Sequence, residues 1–335
     1  MRVNITIPTY NRERYLGRAI EGALAQSYHD FTVTVVDDGS GDGTSRLAAR
    51  YASERNFCYI KLGRNVGTAQ AKNVGLALSN YDAITFHDSD DIPDRHKLLI
   101  QSRALEMTGQ VADPILDWES IGVVPGSQLT VEVAFTAHRL IKGDGSSYTI
   151  NKRVSLVDDF LPNTQFPSQT PGDWILVNSA LFRKSVFQRL GGYLDSIEED
   201  REIRNRVLAS GCITFFVDEP LVDKIEMADS LTVADDTNYV ANRRCDDRKV
   251  VWQRARLYRE LLLAEDKAAF DWERVVVPID LSGVIIEEVS RPELLRLNTD
   301  IPGVSRQLAW PAYGGNGHNG KTNGKTRRRA VVSLP

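Results

Sequence analysis

The sequence predicts an α/β fold: a mostly parallel, Rossmann-like sheet with helices on both faces, carrying a helical extension towards the C-terminus. Two observations carry this prediction. Through the first hundred residues, short apolar runs rich in β-branched residues alternate four times with segments whose apolar positions recur at helical spacing. After each run comes a stretch of polar, Gly- and Asp-rich sequence, and the carboxyl ends of the strands are where open α/β sheets hold ligands. A chain of 335 residues, 42% hydrophobic and 26% charged, is also able to bury a large core.

The strand-like runs are "VNITI", "FTVTVV", "FCYIKL" and "AITF". Between them lie apolar positions at helical spacing: Leu16, Ala19, Ile20, Ala23 and Leu24 first, then Leu47, Ala48 and Tyr51, then Ala71, Val74, Gly75 and Leu78. Strand alternating with helix in this way argues for parallel pairing with both faces covered. A helix is expected from Arg95 to Met107, with Asp94 as its N-cap. Residues 110 to 175 mix Pro, Gly and polar residues with strand-like pieces such as "QLTVEVAFTAHRLI". "SIEEDREIRNRVLASG" reads as a helix ending at Gly211, "CITFFV" as another strand, and Arg243 to Glu265 as a helix. From Tyr313 the tail is of low complexity and expected to be disordered. The expected organisation is an N-terminal half of the α/β domain (1–110), a second half (111–235), a helical extension (236–312) and a tail (313–335).

The net charge of −4 gives no reason to expect nucleic acid as a partner. Three widely spaced cysteines show no metal-ligand spacing and suit a reducing compartment. The first strand begins almost at once with no signal peptide ahead of it, and no run of eighteen uncharged apolar residues occurs, so a cytoplasmic, non-spanning protein is expected. The basic stretch "RRCDDRK", the arginines up to Arg259 and "KTRRR" could make a peripheral contact with anionic membrane at its inner face. A solvated helix face and a solubilising tail are the plainer reading.

The segment with the most chemistry is "ITFHDSDDIPD", where an apolar run ends in Asp88, Asp90, Asp91 and Asp94. Acids this close repel unless they are solvated or a cation offsets them. If the strand continued, Asp88 and Asp90 would project to one side, and a hard divalent cation, Mn2+ or Mg2+, could bridge them to substrate phosphates. The plainer reading of "DSDD" alone is a solvated turn with a helix cap. "DDGSGDGT" is not an EF-hand, because its twelfth position is Ala49. The chain also lacks a G-x-G-x-x-G after its first strand, a Walker-type phosphate loop and a G-x-S-x-G elbow.

Taken in order, "ITIPTYNRERYL", "VVDDGSGDGT", "RNVGTAQAKNVGL", "FHDSDD" and "EED" resemble the family 2 glycosyltransferases, whose catalytic domain has the GT-A fold. The resemblance is close over residues 1 to 110 and moderate over 172 to 232. It implies a nucleotide-sugar donor, most often a UDP-sugar, and transfer with inversion to a glycan or lipid-linked acceptor. By matching motifs, Pro8, Thr9 and Tyr10 would line the base pocket with Glu13 close by, and Asp38 would accept from the uracil N3–H. Asn65 and Lys72 would lie beside base and phosphates. Asp88, with Ser89 next to it, would reach the ribose and metal region, and Asp90 would ligate the metal. Asp200 falls on the family's catalytic base, with Glu199 next to the acceptor. Asp37, Asp91 and Arg95 would support the loops. Trp174 could be a sugar-stacking platform in the acceptor site or a core residue. A histidine that family members carry before a "pdSlt"-like segment is replaced here by Glu226 or Met227, and His87 reads as structural. Two other functions fit the residues less well. A sugar-1-phosphate nucleotidyltransferase is disfavoured because "PTYNRERY" lacks a Gly-rich loop, and a non-catalytic sugar-nucleotide or glycan-binding relative is disfavoured by the retention of Asp90 and Asp200.

Overall fold

The computed structural model describes residues 1–110, 128–151, 175–227, 241–264 and 269–305. The alternating first hundred residues fold as read. The strands β1 (Val3–Thr9), β2 (Phe31–Asp37), β3 (Phe57–Leu62) and β4 (Ala83–Phe86) lie in the order β3-β2-β1-β4, all parallel. They are joined through helices α1 (Leu16–Leu24), α2 (Thr44–Ala48) and α3 (Thr68–Leu78). The order reverses between β1 and β4, which opens a crevice at their carboxyl ends.

Alternating side chains feed two apolar clusters, one on each face. Ile5, Ile7, Val33 and Val35 pack with Leu16, Ile20 and Leu98, whereas Val36, Ile84 and Phe86 pack with Ala71, Val74 and Phe187. Helix α3 lies tight on the sheet: a Cβ at Gly75 would sit 2.6 Å from the Thr6 side chain, so glycine is required there.

Two short strands follow, β5 (Ile92–Pro93) and, after helix α4 (Lys97–Glu106), β6 (Thr108–Gln110). The expected start of α4 at Arg95 is two residues early. Asp94 caps it from outside by accepting from the His96 N–H at 2.7 Å. Strand β6 pairs only with β7 (Gln128–Thr130). The main sheet continues beyond β4 through β8 (Val133–Ile141), which also pairs with β9 (Ser147–Ile150), and through β10 (Leu181–Arg183) and β11 (Thr214–Ile225), in the order β4-β10-β8-β11-β5. Strand β11 runs well past the expected "CITFFV", with its register irregular around Pro220, where a ladder donor is missing. Helix α5 (Lys184–Leu190), helix α6 (Glu199–Ala209) and the long helix α7 (Asn242–Leu263) complete the second face.

The C-terminal extension is not purely helical. Strand β12 (Ile286–Val289) adds antiparallel to β3 and closes that edge of the sheet. Its glutamates, Glu287 and Glu288, alternate with Ile286 and Val289 too briefly to signal a strand from sequence alone. The tail beyond residue 305 lies outside the described residues.

Candidate active site

The loops at the ends of β1 and β2 are braced against each other. Asn11, with φ of +52°, donates its N–H to Ser40 Oγ and accepts from Gly41 N–H. Glu13 accepts from Gly43 N–H at 3.2 Å and from Arg46 at 2.9 Å, so it ties the two loops together. Asp37 accepts from Ser40 N–H and from the Tyr59 hydroxyl. Gly39 has φ of +75°, and a Cβ there would lie 2.6 Å from the Arg64 carbonyl carbon, so two independent constraints require glycine.

Asp38 accepts from Val66 N–H at 2.7 Å and Gly67 N–H at 2.8 Å, one bond to each oxygen. Burial pushes its carboxyl up to about 6 even though these two bonds pull the other way. A carboxylate offers about four lone-pair sites, so two remain for a ligand. Pro8 and Thr9 are buried at the end of β1, and the Thr9 hydroxyl has no partner among the described residues. Tyr10 is 45% exposed and Asn65 is also at the surface, so an aromatic face and an amide are open to solvent at this edge.

The acid loop departs from the strand geometry expected of it. Strand β4 ends at Phe86, and the chain turns, with Asp91 N–H bonded to Asp88 C=O at 3.2 Å. The two-residue alternation therefore does not align Asp88 with Asp90. What offsets the repulsion is Lys224 near the end of β11. Its Nζ lies 3.2 Å from Asp88 Oδ2 and 3.6 Å from Asp91 Oδ2. Burial pushes the Asp88 carboxyl up, but Lys224 and then Lys72 hold it below the usual range. Ser89 is buried between the acids. Among the described residues no other side chain hydrogen-bonds to or ion-pairs with the Asp90 carboxylate, which keeps its own backbone N–H; burial, then the charge of Asp88, raises its pKa against the pull of Lys224 and Arg12. Such a carboxylate gains from a cation. One or two carboxylates with substrate phosphates and water are a usual magnesium or manganese environment, so Asp90 fits this role. No cage of three or more His, Cys, Asp or Glu side chains occurs among the described residues. His87 is buried with its Nε2 unpartnered and its pKa driven far down by burial, as a neutral core histidine.

From Asp88 a buried polar chain runs to α6. Asn178 donates to Asp88 Oδ1 at 3.3 Å and accepts from Lys72 Nζ at 2.8 Å. Lys72 also donates to Glu199 Oε1 at 2.6 Å and sits 5.1 Å from the centre of the Tyr193 ring. The Lys72 side chain is fully buried, and its ammonium is turned to Glu199. Burial raises the Glu199 pKa, against the pull of Lys72. Around it, Glu198 pairs with Arg201, Arg244 and Arg248, while Glu202 pairs with Arg206 and Arg254 and accepts from Tyr258. Asp200, partly exposed in the same first turn, accepts only from its neighbour's N–H, Arg201, at 2.7 Å and has no cation among the described residues.

Residues 4–140 match glycosyl transferase family 2. An uncharacterized glycosyltransferase of Nostoc sp. is 33% identical over 219 residues, which cover 64% of this chain and 59% of that protein. The chain carries a family 2 glycosyltransferase domain. Glycosyltransferase GlyG of Streptococcus pneumoniae is 34% identical over 91 residues, 27% of this chain and 30% of that protein. The chain thus spans about three fifths of the Nostoc relative and less of GlyG. Among solved structures, S. aureus TarS 1–349 in complex with UDP-GlcNAc superposes with a TM-score of 0.57 at 17% identity, covering 80% of this chain and 69% of that one. The uncomplexed TarS 1–349 gives 0.54 over 80% and 68%. These likenesses show that the fold is GT-A.

Within this glycosyltransferase domain and its extension, several expectations resolve differently. Trp174 lies outside the described residues. Glu226 is exposed just past β11, and it is Lys224, two residues earlier, that meets the acids. The basic stretch of α7 is partly inward: Arg244 and Arg248 reach Glu198, and Arg254 reaches Glu202, so these arginines lock α7 onto α6. Among the described residues no helix is long and apolar enough to cross a membrane. Lys224 and Asn178 were missed in the sequence. The available signal was polarity on a buried face: Lys224 shares its strand face with Val222, which is 1% exposed, and Asn178 interrupts the apolar run "ILVNSALF".

Proposed function

We propose that this chain is an inverting glycosyltransferase, which moves a sugar from a nucleotide-sugar donor, UDP-activated, to a hydroxyl of a glycan or lipid-linked acceptor. The observation that carries the reading is the first turn of α6. Of the N-cap Glu198 and the three acids of that turn, Glu198, Glu199 and Glu202 are neutralised by protein cations, and Asp200 alone is left without one among the described residues. TarS, which shares the fold, was solved with UDP-GlcNAc, and this supports a nucleotide sugar as the donor class.

In such a transfer the acceptor oxygen bonds to the anomeric carbon while the bond from that carbon to the diphosphate oxygen breaks. The electron pair leaves with UDP, and the hydroxyl proton passes to an Asp200 carboxylate oxygen. The geometry around Asp200 supports a proton acceptor: Lys72 holds Glu199 beside it, and the arginines on Glu198 and Glu202 fix the helix that carries it. Asp38 keeps lone pairs for the N3–H of uracil, next to the unpartnered Thr9 hydroxyl and the open Tyr10 ring. A divalent ion, Mn2+ or Mg2+, supplies electrostatic stabilisation of the leaving diphosphate when bound, and Asp90 would hold it. Unlike an inverting glycosidase, the site needs no second carboxylic acid for the leaving group.

The test is UDP release from a panel of UDP-sugars with Asp200→Asn as the control. General-base catalysis is worth about 10²- to 10⁴-fold, so turnover in the variant should fall by about 10³-fold while UDP affinity stays within threefold. A variant with turnover within threefold of the parent, and its fold intact, removes Asp200 from the mechanism.

A further inference from the structure

Among the described residues the three most buried lysines near the acid loop differ in their surroundings. The side chain of Lys72 is fully buried and committed to Glu199 and Asn178. Lys97 is equally buried and donates only to Thr85 Oγ1 at 2.9 Å. Lys224 is the exception, because its side chain keeps 22% of its surface open. It is therefore the lysine of this group whose side chain is not sealed off from a ligand arriving at the acid loop.

Its position is set by backbone pairing. Strand β11 pairs with β5 through Val222↔Pro93 and Asp223↔Ile92, so the residue after Asp223 lies beside Asp91. The register with β8 also continues without a shift through Asp223, Lys224 and Ile225. Ile225 N–H donates to Asp91 Oδ1, which fixes the loop to the strand from the other side. An ammonium has three N–H donors. One is used on Asp88 at 3.2 Å, and Asp91 lies at 3.6 Å, a distance for charge attraction more than for a hydrogen bond. Donor capacity is left over after these contacts.

We propose that Lys224 is a protein-borne cation for the donor diphosphate, gripping it directly so that diphosphate binding persists without a divalent ion. The proposal rests on the nucleotide-sugar reading above and deepens it. Three acids at one loop would repel a diphosphate. Asn178 takes one oxygen of Asp88 and Lys224 the other, so the acid nearest the buried polar chain is already satisfied. A diphosphate arriving at Lys224 meets an ammonium held in place by that chain and by the β11 register. Asp90, paired with no other side chain among the described residues, stays available to a divalent ion, so the two cations serve the same group from different carboxylates.

The experiment is calorimetric binding of UDP and, separately, of inorganic diphosphate to the full chain, in excess EDTA and in Mn2+. The parent should bind UDP in EDTA within about tenfold of its affinity in Mn2+. Lys224→Ala should weaken binding of both ligands in EDTA by at least tenfold, and Lys224→Arg should restore most of it. Should Lys224→Ala fail to fold, Lys224→Gln against Lys224→Arg makes the same comparison of charge. UDP binding that vanishes from the parent in EDTA but returns in Mn2+ overturns the inference and leaves the donor reading standing. Equal affinities for parent and Lys224→Ala in EDTA also overturn it. Diphosphate binding that depends on Lys224 without any UDP binding upholds the inference and removes the donor reading. No binding of either ligand in either condition overturns both.

Discussion

Two acidic clusters face the crevice, and the protein treats them alike. Among the described residues, in the loop after β4, Asp94 is committed to a helix cap, Asp88 and Asp91 share Lys224, and Asp90 is paired with no other side chain. At the start of α6, Glu198, Glu199 and Glu202 are matched to arginines and to Lys72, and Asp200 has no cation among the described residues. Each cluster thus fixes its neighbours with protein charges and leaves one carboxylate uncommitted. The difference lies in depth. Around α6 the compensating groups include Arg206 and Lys72 at 0% exposure and the buried Arg244, beside the partly open Arg201, Arg248 and Arg254, whereas the loop cluster among the described residues has at its centre only Lys224, itself partly open. The α6 cluster is built as a rigid support, and the loop cluster as a place where charge can be exchanged with a ligand.

The largest effect should come from exchanging the uncommitted acid of α6 for a committed one. Asp200→Asn should lose about 10³-fold in turnover with binding preserved. Glu198→Gln, measured in the same UDP-release assay, should keep turnover within tenfold of the parent. The comparison between clusters breaks if Glu198→Gln costs as much as Asp200→Asn, because a supporting role would then be indistinguishable from a chemical one.

Next comes the rigidity of the support. Lys72→Met removes the cation from the buried Glu199, and breaking a buried pair from one side typically costs about 3–5 kcal/mol. Urea unfolding followed by far-UV circular dichroism should show a loss of that size. A loss under about 1 kcal/mol would mean that the pair behaves as an exposed one.

How much of this was legible in the sequence follows from the range of the interactions. The alternation from Val3 to Phe86 is local, and it predicted the parallel core and the edge where the loops gather. Asp38, Asp90 and Asp200 stand out in the sequence because each sits in a short motif. Lys224 and Asn178 do not, since their partners are 136 and 90 residues away from them in the chain and nothing near either lysine or amide names those acids. Strand β12 was missed for the same reason, since its partner β3 lies more than two hundred residues earlier and its own four residues carry no readable period. Misreading the 88–91 turn as a strand end came from projecting two-residue alternation past Phe86, where the backbone has already turned.

A smaller effect is expected at the rim of the donor side. Asp38→Ala should weaken UDP by about tenfold, or about 1.4 kcal/mol, through loss of the acceptor for the base. It should also lower stability, because Val66 and Gly67 lose their partner and an unsatisfied buried donor costs about 1–3 kcal/mol. Calorimetry and unfolding on the same sample separate the two. Unchanged UDP affinity with reduced stability would make Asp38 a brace only.

The smallest effect concerns the lysine that belongs to neither cluster. Lys97 is fully buried and has no carboxylate among the described residues, and burial pulls its pKa down to about 7 from 10.5. In the unfolded chain the lysine keeps its proton up to about pH 10.5, so between pH 7 and 10.5 the unfolded state binds more protons than the folded one. Stability from this group is therefore lowest below pH 7, rises through that window and is complete above it. Within the window the rise is limited to about 1.4 kcal/mol per pH unit. Comparing urea unfolding of the parent and Lys97→Met at pH 7.5 and 8.5 isolates it, because every other titrating group is common to both. The parent should gain about 1 kcal/mol more than the variant over that step. Parallel pH dependence in the two proteins would show that Lys97 stays protonated in the fold. The contrast with Lys72 and Lys224 would then rest on more than the presence of a carboxylate.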